Sequence, residues 1–588
     1  MKSLNTLTCL AFCSLIFLNC NKNLDQPPIG AVDESTLANK KGVEGLLIGA
    51  YSLLDGVGVS FGWWGSTTSN WIFGSIIGSE AYTGGRDEND LPAITQLETF
   101  NGSPQNPMVY VKWSVMYAGI QRANEVIRVM RKASDISKAD QLRIEAEARF
   151  LRGFYHFEAM KIFNKIPYVD ESITYKAGNF YLPNDTLIWG AIENDFRFAS
   201  ENLPAVMNAV GRANKYAAEA FLAKTLLFQG RNNSGKFTAA RPLLEDLINN
   251  GVTAGGIKYN LLTNYHDNFN PETKNSSESV FAAQASVNDG AEGINGNIGE
   301  LLNFFMDRDP GRCCGNFQPT QFLVNHFKTE ALTGLPDLDN FNTIPVKNDE
   351  GLLSSDPFTP YNGPLDPRLD WTVGRRGIPY IDWGVHAGKD WIRDQSYGGP
   401  YSPMKNAYAQ SQQEKFTDKS FWSTAATALN INLIRFADVL LWAAEVEIEV
   451  GDLDKARQYV NQVRQRAANP AAWVVNSTGP FAPYAANYKI NTYPPGSWID
   501  KDFARKAVRY ERMLELAMEG HRFFDLVRWG IADQEINNYL LKEKTFRSYL
   551  NNVQFKKGVH EYFPISQSQI DLSAGPDGIP KLKQNPGY

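Results

Sequence analysis

The sequence predicts a mainly α-helical protein in which tetratricopeptide-like helix pairs form a superhelical frame carrying a large, irregular, loop-rich lobe. Three observations predict it. Apolar residues recur at helical spacing in several long segments. Some of those segments come as pairs joined by a short glycine turn, near the ~34-residue period of a tetratricopeptide unit. Between the pairs, about 251–430 shows little helical periodicity and is full of Gly, Pro, Asn, Asp and aromatics. A structureless loop of that size has no place in a compact domain, so it must fold as a lobe of short elements. With 43% hydrophobic and 21% charged residues, the 588-residue chain has ample material for a core.

In chain order, Met1-Lys2 precedes an apolar run from Leu7 to Leu18, which is too short to span a bilayer and reads as a secretory signal. Cys20 follows at once. A cysteine in that place reads as a bacterial lipoprotein leader, with 1–19 removed and Cys20 acylated to tether the chain to a membrane. Phe17 and Asn19 stand where such leaders usually carry Leu and a small residue. Ordinary cleavage that leaves Cys20 a free thiol is the other reading. Residues 21–35, with Pro27-Pro28 and Gly30, look like a tether.

A helix is expected over 37–54, then an irregular segment over 55–107 rich in Gly, Ser, Asn and Trp. Helices return at 108–132 and 138–164. In the second, Ile144, Ala148, Leu151, Tyr155 and Ile162 make one apolar stripe, and Glu145 to Arg149 is a favourable i,i+4 pair. Helix pairs are expected at 213–229 with 237–249, and at 433–450 with 453–468. In the latter, Leu440, Ala444 and Ile448 should face Ala456, Val460 and Val463. Residues 469–500 resemble the lobe, and 502–530 reads as one final helix. The frame is thus about 37–54, 108–250, 430–468 and 502–530, and the lobe about 55–107, 251–430 and 469–500.

Composition excludes several functions. Lys and Arg number 58 against 64 Asp and Glu, and no basic domain stands out, so no nucleic-acid partner is expected. The six His lie far apart, with no His-Glu-x-x-His and no Cys-x-x-Cys, so no metal is expected. Gly-x-Ser-x-Gly and Walker motifs are missing, Gly293, Gly296 and Gly299 do not make a dinucleotide fingerprint, and no cofactor is expected. No motif marks a catalytic residue. The run Arg509, Glu511, Arg512, Glu515, Glu519, Arg522, Asp525, Arg528 stacks like charges that repel unless cations intervene, which predicts an ion-pair network locking the last helix in place.

Several blocks point to a family. They are Cys20 with Leu24-Asp25-x-x-Pro28; Gly49-Ala50-Tyr51-x-x-Leu54; and Glu145-Ala146-x-Ala148-Arg149-Phe150-Leu151-Arg152 with Tyr155-His156-Phe157 and Phe163-x-x-Ile166-Pro167. Arg435-x-Ala437-Asp438-Val439-Leu440-Leu441 with Ala444-Glu445 follows. Arg509-x-Glu511-Arg512-x-x-Glu515-Leu516-x-x-Glu519-Gly520-x-Arg522, Asp525-Leu526-x-Arg528-Trp529 and the closing Gln584-Asn585-Pro586-Gly587-Tyr588 complete the series. In this order they resemble the SusD/RagB family of Bacteroidota outer-membrane lipoproteins, nearly end to end. The resemblance implies a non-catalytic protein, lipid-anchored at the cell surface on the outer membrane. It implies capture of oligo- or polysaccharide and delivery to a partner SusC-like TonB-dependent transporter. Some members of the family take peptides instead, so peptide uptake is an alternative, and a glycoside hydrolase with a carboxylate pair is a more distant one.

Sugars present apolar C–H faces between hydroxyls, and exposed loop aromatics with polar neighbours are the tools that cover them. The candidates are Trp63, Trp64, Asn70, Trp71 and Tyr82 in the Gly/Ser-rich segment, and Trp371, Tyr380, Trp383 and Trp391 in the lobe. Trp113, Phe150 and Trp442 follow helical stripes and are assigned to the core. Cys313-Cys314 is either a vicinal disulfide rigidifying a turn or two packed, reduced thiols. Neighbouring Cα atoms lie ~3.8 Å apart across a trans peptide, less than the ~4.4–6.8 Å of most bridges.

Overall fold

The computed structural model describes residues 34–58, 62–476 and 482–588. The leader, Cys20 and most of the tether lie outside the described residues.

Eleven helices of eight or more residues occur among the described residues: α1 (Lys40–Tyr51), α2 (Pro107–Met130), α3 (Lys138–Phe163), α4 (Trp189–Asn202), α5 (Lys215–Gly230), α6 (Gly235–Asn250), α7 (Phe436–Val450), α8 (Leu453–Ala467), α9 (Lys501–Glu515), α10 (Arg522–Trp529) and α11 (Ala532–Glu543). From α1 to α8 each helix packs on the next, and α9 packs on α7 and α8. Local chemistry sets the starts. Asn106, Ser137, Asn214, Asp452 and Asp500 each accept a first-turn N–H of the helix that follows, filling donors a helix end leaves open. The stripe Ile144, Ala148, Leu151, Tyr155, Ile162 is fully buried, and the facing sets Leu440, Ala444, Ile448 and Ala456, Val460, Val463 meet in the core between α7 and α8. Trp113, Phe150 and Trp442 are core, as their spacing predicts. Glu145 and Arg149 pair at 2.7 Å.

Sequence pattern passes over α4 and α11, whose buried residues are sparse among charged ones. It also runs 502–530 as one helix, which the chain does not. Met518 (φ 65°) and Gly520 (φ 75°) turn the backbone between α9 and α10. The reason is a close backbone crossing. A Cβ at Gly520 would collide with the Ser69 carbonyl, one at Gly74 with the Gly520 carbonyl, and the Gly520 N–H donates to Ser75 Oγ at 2.9 Å. The segment 55–107 is correspondingly more ordered than its composition predicts. It holds a π-helical turn at Trp71–Ile76, buried at every residue, and strand β1 (Ala81–Gly84).

The lobe is built from short elements tied, among the described residues, by three two-stranded antiparallel sheets. β1 pairs with β3 (Asn316–Pro319), β2 (Ser279–Ala283) with β6 (Ile431–Arg435), and β4 (Val373–Gly374) with β5 (Ser402–Pro403). β6, paired with β2, carries the chain from the lobe directly into α7.

Buried charges bolt lobe to frame. Glu511 pairs with Arg368 (2.7 Å) and Arg464 (2.9 Å). Glu515 pairs with Arg368 and Arg435, both at 3.0 Å, and with Arg466. Glu519 takes Arg435 (2.8 Å) and Lys405 (2.7 Å). On the other side Arg512 reaches Asp438 and Asp525, and Arg528 reaches Glu445 and Asp525. The cations that separate Glu511, Glu515 and Glu519 come from the lobe, β6 and α8, not from α9 itself.

Candidate functional site

Outside the main core, the described residues of the lobe form three small apolar clusters, and half-buried aromatics join them in a row. Trp63 and Phe421 pack on Val57, Ile298 and Ala426. Phe421 and Trp383 pack on Leu301, Phe304, Tyr408 and Ala425. Trp383 and Trp391 pack on Phe305, Tyr380, Met404 and Ala407. The shared members make a continuous band, Trp63–Phe421–Trp383–Trp391. Trp422, 67% exposed, stands beside Phe421 with ring centres 5.7 Å apart.

Each ring is held by its loop. Trp63 begins a short helix, Trp63–Ser66, whose end is pinned from below by the buried Lys112, donating to the carbonyls of Ser66 (3.2 Å) and Thr67 (2.9 Å). Trp383 sits at the tip of a tight reversal in which the Tyr380 N–H donates to the Gly384 carbonyl at 2.9 Å. Positive φ at Ile381 and Gly384 permits the turn. The Trp383 Nε1–H donates to the Tyr408 carbonyl at 2.7 Å, which fixes the indole plane. Trp391 lies 5.1 Å from Phe305 and 5.0 Å from His386, with the exposed Arg308 guanidinium 5.1 Å over its ring. Burial lowers the His386 pKa to about 3, so this ring is neutral, and its Nδ1 accepts the Gly388 N–H at 3.1 Å. Asp418 holds the Phe421–Trp422 loop by accepting the N–H groups of Asn288 (2.8 Å) and Ser420 (3.0 Å). The product is a row of flat apolar faces with a guanidinium at one end, that of Arg308, which is held by the Asp390 carbonyl at 3.4 Å and pairs with no carboxylate among the described residues. It suits a ligand with its own apolar faces.

The other predicted residues are not members of this row, and four of them are corrected by their burial. Trp71 is 1% exposed, donates Nε1–H to the Gly299 carbonyl at 3.0 Å and packs on Phe317. Asn70 donates to the Thr68 carbonyl and to Glu158. Tyr82 donates to Glu543 beneath the Arg547 guanidinium. Tyr380 donates to the Pro403 carbonyl under the band. These are core groups with their hydrogen-bond donors committed, because the segments that carry them fold inward and do not loop out. Trp64 turns to the main core. Trp371 is half-buried and packs on the same apolar cluster as Trp383 and Trp391, stacked 4.5 Å from His266, with its Nε1–H on the Ala472 carbonyl. Phe421, Trp422 and Arg308 were missed. The first two lie in Ser420-Phe421-Trp422-Ser423, the same signal of aromatics among small polar residues. The structure sets the sulfurs of Cys313 and Cys314 against each other, near Phe304. Among the described residues no cluster of His, Cys, Asp or Glu is arranged to hold a metal, and no helix is long and apolar enough to cross a membrane.

Comparison with known proteins agrees with this architecture. Residues 277–588, more than half of the chain, match the model of the SusD family, and residues 87–227 match a model described as starch-binding, associating with outer membrane. The chain is 24% identical over 594 aligned positions to SusD-like protein P25 of Formosa agariphila, covering 96% of each. A SusD superfamily protein from Bacteroides vulgatus superposes with a TM-score of 0.66 at 20% identity, covering 94% of this chain and 100% of that one. Surface glycan-binding protein A from Bacteroides thetaiotaomicron, solved in complex with laminarihexaose, superposes with a TM-score of 0.65 at 18% identity, covering 93% and 99%.

Proposed function

Because the chain belongs to the SusD family, we propose that it is a non-catalytic binding protein that captures oligo- or polysaccharide at the cell surface and passes it to a partner TonB-dependent transporter in the outer membrane. The observation that carries the binding half is the aromatic band. A pyranose ring laid on Trp383 or Trp391 buries its apolar C–H face while its rim hydroxyls stay free to bond Arg308 and the loop polar groups. Several rings in a row suit a chain of several sugars. Anchoring rests on the leader and Cys20, and delivery rests on family membership. The glycan complex of a protein of the same fold makes laminarin the first probe to try.

The test is affinity electrophoresis of the purified protein in gels containing laminarin and a panel of other polysaccharides, with peptides titrated separately. Retardation by at least one glycan, lost on replacing Trp383 and Trp391 together by Ala, is expected. Binding of peptides with no retardation by any glycan would move the protein to peptide uptake. Release of reducing sugar by the purified protein would end the non-catalytic reading.

A further inference from the structure

Away from the aromatic band, two clefts of about 490 and 450 Å³ open on the helical frame, and both are lined by Arg231 and Arg528. The second is closed by Trp529 and by Arg509 of α9. Sizes of this order are those of small-molecule sites.

Arg509 is a surplus charge. Its guanidinium lies 5.2 Å over the Trp529 ring, and among the described residues it has neither a hydrogen bond nor an ion pair. The carboxylates around it are already spent. Glu445 holds Arg528 through two bonds of 2.7 Å and accepts the Trp529 Nε1–H at 2.9 Å. Glu449 holds Arg505 through bonds of 2.7 and 2.8 Å, and Asp502 takes the same arginine at 2.9 Å. Burial accordingly lowers the Arg509 pKa, and Glu445 and Glu449 do not restore it against Arg528 and Arg505. Every other arginine with a resolved shift is raised by its partners. Arg231 is exposed, packs its guanidinium on Gly530 at the end of α10, and likewise has no partner among the described residues. Two unspent guanidiniums therefore converge on the Trp529–Gly530 corner. A guanidinium fork matches a carboxylate in shape as well as charge. The adjoining cleft supplies the half-buried faces of Trp189 and Phe228 and the side-chain amides of Asn232 and Asn233.

We propose that this corner is a second binding site, for a small ligand that carries a carboxylate on a body with one apolar face, the chemistry of a uronic acid. The carboxylate sits between Arg231 and Arg509, and the body extends over Phe228 and Trp189. The site is separate from the aromatic band and does not depend on that band binding glycan.

Isothermal titration of the purified protein with glucuronate, and with glucose as the neutral control, tests it. Saturable binding of glucuronate is expected, at least about tenfold tighter than glucose. Arg509→Met and Arg231→Ala should each weaken it about tenfold or more. Arg231 is exposed, so its loss leaves the fold intact even if Arg509→Met does not fold. Silence with glucuronate at tens of millimolar, equal binding of glucose, or wild-type affinity in Arg231→Ala would each overturn the proposal.

Discussion

Glu515 is the pivot of the buried charge network, and Glu515→Gln tests whether that network holds the lobe on the frame. The substitution keeps the shape of the side chain and removes its charge. It leaves Arg368, Arg435 and Arg466 each short of one carboxylate. Breaking a buried ion pair by removing one partner costs about 3–5 kcal/mol. Here each guanidinium retains another anion: Arg368 keeps Asp366 and Glu511, Arg435 keeps Glu278 and Glu519, and Arg466 keeps Glu278. The loss should therefore fall at the low end, about 3 kcal/mol. Burial pushes the Glu515 pKa up, but Arg466, Arg435 and Arg368 outweigh it and hold the carboxyl well below its usual range. A carboxyl whose folded pKa is depressed stabilises the fold above its unfolded pKa, and that contribution fades as pH falls through the folded value. Wild type should thus lose part of its stability on acidification below the ordinary carboxylate range, and Glu515→Gln should lose less. Guanidinium unfolding followed by tryptophan fluorescence at neutral and acid pH measures both. Glu145→Gln, which breaks only the partly exposed pair with Arg149, should cost under about 0.5 kcal/mol and serves as the reference. A loss under about 1 kcal/mol in Glu515→Gln, or an unchanged acid profile, would refute the network as the lobe's fastening.

Glu80 is 1% exposed, and burial raises its pKa to about 7 against the Ser75 hydrogen bond. Its ionisation therefore costs stability as pH rises from 4.5 to about 7. Glu80→Gln should raise stability at pH ~8 by about 2 kcal/mol and flatten that window, and a drop at pH ~8 would contradict the sign. Gly520→Ala should cost at least about 2 kcal/mol in chemical unfolding, since neither the positive φ nor the Ser69 carbonyl leaves room for a Cβ, and a neutral result would show that the crossing can relax. Trp71→Phe should cost about 1 kcal/mol through the lost bond to the Gly299 carbonyl while glycan affinity stays at wild type. Weakened affinity with unchanged stability would instead put Trp71 in the binding site.

The frame was legible because helix periodicity is a local signal: the stripe on α3 and the facing sets on α7 and α8 are read from spacing alone. The charged run on 509–528 was legible as a network, though not its partners, because Arg368, Arg435, Arg464 and Arg466 are supplied by distant segments. The lobe was less so. Whether a loop tryptophan faces water or core is decided by long-range packing, as Trp71 and Trp383 illustrate: both follow a polar residue in segments rich in Gly, yet only the second reaches the surface. The break after Glu515 was hidden for the same reason, since Gly520 is required by a contact with residue 69, far off in sequence.

The order in which this chain can mature follows from where its buried charges lie. Arg368, Arg435, Arg464 and Arg466 are made early, but the carboxylates of Glu511, Glu515 and Glu519 that neutralise them come late. Until synthesis has passed residue 519, Arg464 has no carboxylate and Arg368, Arg435 and Arg466 have only Asp366 and Glu278 to share, so the nascent polypeptide must travel with an open seam and seal it only when its tail arrives.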